Sequence, residues 1–425
     1  MRDIVLFFHT NERMRVLFIM KKCLKVAAYV AASVIGAGFT CGKEIVAFLG
    51  SDGLNLWNAV ICFLLFFVCS FVFLSVGAIT KAGNFGKANK IIAPRLHGLF
   101  DVCAVFNGII VLSAMLAAVN GIGSSVHPLG IVYGAVFSCL IVLLARKGKS
   151  RVMSGSFFLM FFVVAIIIAV SVENFSSGQN VFDGKISVFS CMGYVAMNTV
   201  LSAGVMVSEK TLSIKECAVV ALISSLVFGG LIFMLGYAIR CAGCENAPMP
   251  IFALSARLGK IAYYASVLLV LLSVTATSLT ISGEIAEFFS EYAEKTFSLT
   301  VIFLVSLIVS LFGFERVVEK FYPIIGVFGA VYFLAAVKFS APFAFNALFD
   351  KGNNEIHYRG KKTKNDGGHH DEVELKNLPA EDDKVSQPCV GNQIFAHDCA
   401  YPRKSDVYFE NGNNVGKRAG KNKLV

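Results

Sequence analysis

Long apolar stretches dominate the chain, and short polar segments separate them. Ten of them lie between residues 24 and 340 and are nearly free of charge, and a helix needs about 20 apolar residues to cross a bilayer. They cover residues 24–49, 54–80, 99–119, 128–145, 152–172, 187–208, 217–239, 261–289, 299–312 and 317–339. We number these predicted spans one to ten. The pattern predicts an all-α integral membrane protein.

Small residues interrupt span one. It starts as an apolar helix and then reads Gly36-Ala37-Gly38, followed by Cys41-Gly42-Lys43-Glu44. Each glycine weakens a helix by about 1 kcal/mol relative to alanine. Backbone groups freed at membrane depth must find other partners, as they do where broken helices form the substrate site of a secondary transporter. Close packing of helices through small residues is the alternative interpretation.

Span six is also rich in small and polar residues. Gly193, Asn198, Thr199, Ser202 and Gly204 predict a second interruption. Because spans one and six are five apart, spans one to five and six to ten form two halves. An odd number of spans gives the halves opposite topology, which predicts a 5+5 inverted repeat with spans one and six broken at the midplane.

The charges indicate how the chain is oriented in the bilayer. The net charge is +10, with 16% of residues charged and 56% hydrophobic. The basic excess is spread over short loops, which argues against a nucleic-acid partner. It concentrates in the N-terminal segment and after spans two, four, six and eight, so the positive-inside rule predicts that both termini are cytoplasmic. We expect a multi-pass protein of the cell membrane.

These features divide the chain into five segments. They are a cytoplasmic N-terminal segment (1–23), five spans (24–172), an outer loop (173–186), five further spans (187–346) and a cytoplasmic tail (347–425). The tail lacks the apolar content for a core, so we expect disorder there. Its His and Cys residues are irregularly spaced, unlike a metal site. Cys241 and Cys244 lie in a predicted outer loop, 241–259, where a disulfide can form.

The residues around the first break resemble a known family. Gly36-Ala37-Gly38-Phe39, followed by Gly42-Lys43-Glu44-Ile45, is similar to the first-helix signature of the YkvI family of bacterial membrane proteins. That family is similar, more distantly, to the amino acid–polyamine–cation transporters and to the LeuT-type five-plus-five fold. The resemblance covers about residues 24–340 and implies a LeuT-like transporter fold.

The resemblance implies a substrate site at the first break. The N–H groups of Ala37, Gly38 and Phe39 would face a ligand carboxylate, because a helix N-terminus carries partial positive charge. Gly36 and Gly38 would let a ligand approach the backbone closely.

Polar side chains near the two predicted breaks are further candidates. Glu44 lies inside a span, where ionisable residues mark pathways, and it can accept a proton or meet a substrate amine. Lys43 is its neighbour and points elsewhere on a helix; a position of both residues at the outer interface is the alternative. Tyr194, Met197 and Asn198 are candidates for the opposite wall, with simple packing as the alternative.

The resemblance also implies a cation site between spans one and eight. In the family pattern, backbone oxygens at Ala32 and Ile35 join Val274, Thr277 and Ser278 around the ion. Oxygen ligands suit a hard cation such as sodium. The alternative is that the hydroxyl groups of span eight bond to their own helix.

Two further positions bear on the coupling ion. Ser33 stands where sodium-coupled relatives can carry an amide, which argues against a second cation site. Span five has no lysine between residues 152 and 172, where proton-coupled relatives can carry one. Sodium is therefore favoured as the coupling ion, and Glu44 is the competing proton carrier.

These expectations combine into one function. We expect a secondary transporter of a small amino-acid-like or related solute, coupled to a cation, with alternating access around a midplane site. A membrane scaffold or sensor and a channel are the alternatives. No enzyme is expected, because no span has the clusters of Asp, His or Cys that intramembrane chemistry needs. No cofactor is implied beyond a sodium ion, and the oligomeric state stays open.

Overall fold

A computed structural model describes residues 2–124, 130–146, 149–175 and 180–349. Within them the helices longer than one turn of 3-10 helix are α1 (Arg2–Val34), α2 (Ala37–Thr40), α3 (Lys43–Leu49), α4 (Leu56–Thr80), α5 (Phe85–Ile92), α6 (His97–Ser124), α7 (Gly130–Ala145), α8 (Lys149–Glu173), α9 (Val188–Val207), α10 (Ile214–Ala242), α11 (Pro250–Arg257), α12 (Lys260–Phe289), α13 (Lys295–Ser310) and α14 (Phe314–Phe349). All of them lie in the first of two units of the chain, Met1–Lys376; the second unit, Asn377–Val425, lies outside the described residues.

Every predicted span corresponds to a helix or to a broken helix. Among the described residues, seven helices are long and apolar enough to cross a membrane: α4, α6, α8, α9, α10, α12 and α14. The helices α7 and α13 are apolar but have 16 residues each. The remaining span is the broken series α1 to α3. The predicted all-α membrane architecture is thereby confirmed.

The predicted break in span one is confirmed, and it has two parts. The chain leaves the helix at Ile35 and Gly36, and it turns again at Cys41 and Gly42, between α2 and α3. Gly42 has φ +82°, a left-handed conformation that glycine adopts without strain. A Cβ there would also lie 2.5 Å from Cδ1 of Ile239. Glycine is therefore required at this turn by both backbone angle and space.

The predicted break in span six is wrong. The helix α9 runs from Val188 to Val207 without interruption. Its polar side chains bond to their own helix: Asn198 donates to the carbonyl of Tyr194 at 2.9 Å, and Ser202 donates to the carbonyl of Asn198 at 3.1 Å. Such bonds are compatible with a regular helix, so polarity alone did not indicate a break here.

Two short helices lie in segments that the sequence pattern assigned to loops. The helix α5 follows α4, and α11 follows α10, so each comes after the second span of its half. Asn84 caps α5 by accepting a hydrogen bond from the N–H of Lys87 at 2.9 Å. Pro250 occupies the first turn of α11, where its fixed φ favours a helix. The matching positions of the two helices agree with an internal repeat.

The helix ends differ from the predicted segments at several points. The helix α1 begins at Arg2, so residues 2–23 are helical and continue into span one. The helix α10 extends to Ala242, and Cys241 and Cys244 are free thiols, so the disulfide that the loop allowed is not formed. The tail, with its His and Cys residues, lies outside the described residues from position 350 onward.

Ion pairs tie the helices together at both ends of the bundle. At the end that we call the basic face, Lys22 pairs with Glu216 at 3.1 Å and Lys87 pairs with Glu291 at 2.6 Å. The hydrogen bond from Lys87 lowers the pKa of the Glu291 carboxyl. At the other end, which we call the opposite face, Lys43 pairs with the exposed Glu315 at 2.9 Å. The basic face is the predicted cytoplasmic side.

Candidate functional site

The break between α1 and α3 is enclosed by other helices. All four residues of α2 are buried. A Cβ added to Gly36 would lie 2.8 Å from Cε of Met115 on α6 and 3.6 Å from Oγ1 of Thr277 on α12. The N–H of Ala37 donates to the Met115 sulfur at 3.5 Å. The glycine therefore lets the broken backbone lie close to both neighbouring helices.

Hydroxyl groups of α12 bond to the last carbonyls of α1. Thr277 donates to the carbonyl oxygen of Ala32 at 2.7 Å and lies 3.2 Å from that of Ile35. Ser273 donates to the same Ile35 oxygen at 2.7 Å. The alternative that these hydroxyls bond only to their own helix does not hold for Ser273 and Thr277. It does hold for Thr275, which donates to the carbonyl of Leu271.

The other two predicted cation ligands lie on the same helix. Ser278 is fully buried, and its Oγ has no hydrogen-bond partner in the part of the chain that the structure describes. Val274 is buried within a regular stretch of α12. A buried hydroxyl without a partner costs about 1–3 kcal/mol. The donor set is made of carbonyl and hydroxyl oxygens only, which fits a hard cation.

Glu44 lies directly on the break. It is 2% exposed, and its Oε2 has no hydrogen-bond partner among the described residues. A Cβ built on Gly38 would overlap the Glu44 carboxylate and lie 2.6 Å from its Cγ. The carboxylate thus packs against the Cα of Gly38, which only a glycine allows. Glu44 is therefore buried within the protein beside the break.

Lys43 turns away from Glu44, as predicted for helix neighbours. Its Nζ bonds Oε1 of Glu315 at the opposite face. Within the described residues, Glu44 forms no ion pair with any basic side chain. An uncompensated buried carboxylate costs several kcal/mol, so a position of this kind is usually functional.

The wall that faces α3 is formed by α9 and α10. Tyr194 is fully buried, and its hydroxyl has no hydrogen-bond partner within the described residues. Its ring lies 5.2 Å from that of Phe48 and 5.7 Å from that of Phe228. Phe39 also packs on Phe228, at 5.6 Å. Aromatic rings therefore surround the side of α3 that carries Glu44 and Phe48, which lie four residues apart on one face.

The remaining candidates on α9 divide between the site and the packing. Asn198 uses its Nδ2 to bond its own helix, and its buried Oδ1 has no hydrogen-bond partner in the described part of the chain. Met197 is buried against α14, where a Cβ on Gly326 would lie 3.7 Å from its Cβ. Met197 therefore has a packing role, which is the alternative that its sequence position left open.

Four residues that contact the site were not predicted from the sequence. Ser273 lies one turn before Thr277, and Phe48 lies one turn after Glu44, so helical spacing alone could have found both. Met115 and Phe228 are apolar residues within apolar spans. Nothing in the local sequence distinguishes them from the residues around them, and only the packing of α6 and α10 brings them to the break.

A cavity of about 40 Å³ lies between α6, α9, α12 and α14, nearer the basic face. Asn107 and Glu284 are among its polar lining residues. Glu284 accepts a hydrogen bond from the Tyr29 hydroxyl of α1 at 3.1 Å. It follows Thr277 by seven residues, so it lies about two turns further along the same face of α12. The cavity is large enough for water, and it continues the polar contact between α1 and α12.

Two solved structures align with this chain over most of its length. MhsT, solved in complex with L-phenylalanine, aligns with a TM-score of 0.57 at 13% identity, covering 77% of this chain and 97% of that one. The chain has the LeuT-type fold. Mhp1, a nucleobase-cation-symport-1 family transporter solved in a closed conformation with bromovinylhydantoin bound, aligns at 13% identity over 77% of this chain and 78% of that one, with a TM-score of 0.47.

At the level of sequence, the chain matches no family model and none of the curated proteins. The resemblance of its first span to the YkvI family therefore stays a prediction.

Proposed function

We propose that the chain is a secondary active transporter of a small amino-acid-like or related organic solute. It carries the solute through a site at the α1–α3 break, coupled to a cation, with sodium favoured. The observation that carries this proposal is the enclosed break itself, where a buried carboxylate and buried acceptors lie beside an oxygen cluster on α1 and α12. The LeuT-type fold supports it, because MhsT of the same fold holds L-phenylalanine.

The solute site is formed by Gly36, Ala37, Gly38 and Phe39 at the break, with Glu44, Tyr194 and Asn198 around it. Broken helices place backbone groups at membrane depth, where a substrate can reach them. The buried acceptors of Glu44, Tyr194 and Asn198 would otherwise cost free energy, so a ligand that bonds them gains that amount.

Hydrogen bonds and an ion pair between helices at both ends of the bundle support alternating access. The helix α11 covers the break at the opposite face, where the N–H of Ile251 donates to the Cys41 carbonyl at 3.0 Å. At the basic face, Lys22 bonds both Glu216 and the carbonyl of Thr211. A site closed at both ends is typical of a carrier between its open states. These ties favour a carrier over a channel, which needs a continuous path.

Sodium, if bound, would be held by the carbonyls of Ala32 and Ile35 on α1 and by Val274, Thr277 and Ser278 on α12. Its positive charge would attract the oxygen atoms of both helices and so hold α1 and α12 together. The hydroxyls of Ser273 and Thr277 donate to the α1 carbonyls, so α12 positions these oxygens. Ion binding and the geometry of the break are therefore linked through α1.

Uptake into proteoliposomes tests this function. We expect solute uptake in sodium and much less in choline. Thr277→Ala with Ser278→Ala should raise the sodium concentration for half-maximal uptake while solute preference changes little. Thr275→Ala is the matched control, because that hydroxyl bonds its own helix. Uptake that continues when sodium is replaced but stops when the proton gradient is removed would refute sodium coupling. The coupling ion would then be a proton carried by Glu44.

A further inference from the structure

The Glu44 carboxylate occupies the place at the break where a ligand carboxylate would lie. It packs on the Cα of Gly38, in the middle of the short helix α2. The glycine that would give a ligand close access to the backbone gives that access to the chain's own side chain. A ligand carboxylate at Gly38 would meet a second, like charge at contact distance, and two such charges repel strongly in a buried site.

The polar atoms left without partners on Glu44 and on the facing helix α9 are mainly acceptors. Within the described residues they are Oε2 of Glu44, Oδ1 of Asn198 and the hydroxyl of Tyr194. Glu44 is 2% exposed, and Tyr194 and Asn198 are 0% exposed. Tyr194 and Asn198 are four residues apart on α9, so they share a face. A carboxylate and an amide oxygen accept only, and an ammonium group carries three donors and no acceptor.

The apolar part of the site also suits a cation. The rings of Phe48, Tyr194, Phe228 and Phe39 form a continuous series, with neighbouring centroids 5.2, 5.7 and 5.6 Å apart. Aromatic faces attract cations such as ligand ammonium groups, and more strongly when water is excluded. Lys43, the nearest basic residue in sequence, is already paired with Glu315 at the opposite face.

We propose that the site selects organic ammonium ions that lack a carboxylate, with Glu44 as the counter-ion and the aromatic series around the alkyl or aryl part. This inference rests on the proposed function and assigns a substrate class to its site. A primary amine would bring the positive charge and the donors that the site lacks. The corresponding amino acid would bring a carboxylate that Glu44 repels.

Matched pairs that differ only in the carboxylate test this assignment. Phenethylamine against L-phenylalanine and isoamylamine against L-leucine are titrated into the purified full chain at fixed sodium, with thermal stability as the binding readout. We expect each amine to stabilise the wild type at a concentration at least tenfold lower than its amino acid. Glu44→Gln should weaken amine binding about 30-fold or more, the usual result of removing one charge from a buried pair.

Two further variants keep the result interpretable. Glu291→Gln removes a carboxylate at the basic face, far from the break, and should leave amine affinity within twofold of the wild type. Glu44→Asp keeps the charge on a shorter side chain and should weaken binding without changing the preference for amines. If Glu44→Gln is not obtained as a folded protein, Glu44→Asp and the wild-type comparison decide.

The outcomes separate this inference from the proposed function. Amino acids that bind as well as amines, or no binding by either member of both pairs, would overturn the amine assignment. Equal amine affinity in Glu44→Gln and wild type would overturn it as well. Amine binding without uptake into proteoliposomes would leave the assignment standing and refute the transporter function.

Discussion

The contact between Glu44 and Gly38 can be tested by a double-mutant cycle. Gly38→Ala places a Cβ inside the space of the Glu44 carboxylate, only 2.6 Å from its Cγ. Rotation of the carboxylate alone does not relieve this overlap, because the Cγ must move too. Overpacking of this kind costs about 1–3 kcal/mol. At about 2–4 °C per kcal/mol, the apparent unfolding temperature should fall by about 2 to 12 °C.

The same substitution should lose its cost when the Glu44 side chain is shortened. In a Glu44→Ala background the overlapping atoms are gone, and alanine favours a helix over glycine by about 1 kcal/mol. We therefore expect Gly38→Ala to be neutral or slightly stabilising there. The difference between the two backgrounds is the coupling of the two sites, which distant sites do not show.

Thermal unfolding of the purified variants in one detergent measures all corners of the cycle. Gly36→Ala is the matched control. Its Cβ would meet the flexible end of Met115 at 2.8 Å, so its smaller cost should be the same in both backgrounds. If Gly38→Ala costs as much with Glu44→Ala as without it, the carboxylate does not lie on the break, and both the solute site and the amine assignment lose their main support.

Three other measurements test separate parts of the structure. Gly77→Ala should destabilise by about 1–3 kcal/mol in thermal unfolding, because its Cβ would lie 2.6 Å from the carbonyl oxygen of Met206, whereas Gly230→Ala meets nothing within 4 Å and should not. Glu315→Gln should change stability by less than about 1 kcal/mol, because an exposed ion pair contributes little. Single cysteines at positions 149 and 246 should label from outside at 246 only; the reverse result would overturn the predicted topology.

The architecture was predictable because membrane helices are long and apolar. The predicted spans agree with the helices to within about five residues, except that α1 begins at Arg2 and α14 continues to Phe349. Glycines gave the break in span one correctly, since Gly42 needs a left-handed backbone. In span six the same residue types misled, because Asn198 and Ser202 bond their own helix and Gly204 needs no special conformation.

The candidate site was less predictable than the fold. Thr277 and the carbonyls of Ala32 and Ile35 do come together, and this followed from a resemblance and not from spacing. That Glu44 lies on Gly38 depends on the direction of α3 after the turn at Gly42, which no local pattern contains. The short helices α5 and α11 were missed because eight residues are too few for a periodic apolar pattern.

The helix α11, which covers the break, is attached to it through main-chain atoms. The N–H of Ile251 bonds the carbonyl oxygen of Cys41, so neither side chain takes part in that bond. A bond of this kind does not depend on the side chains at the two positions, provided that the donor at position 251 is not proline. The attachment of α11 at this bond therefore does not depend on which side chain position 41 carries. Side chains beneath α11 can therefore differ between related chains while this main-chain attachment is kept.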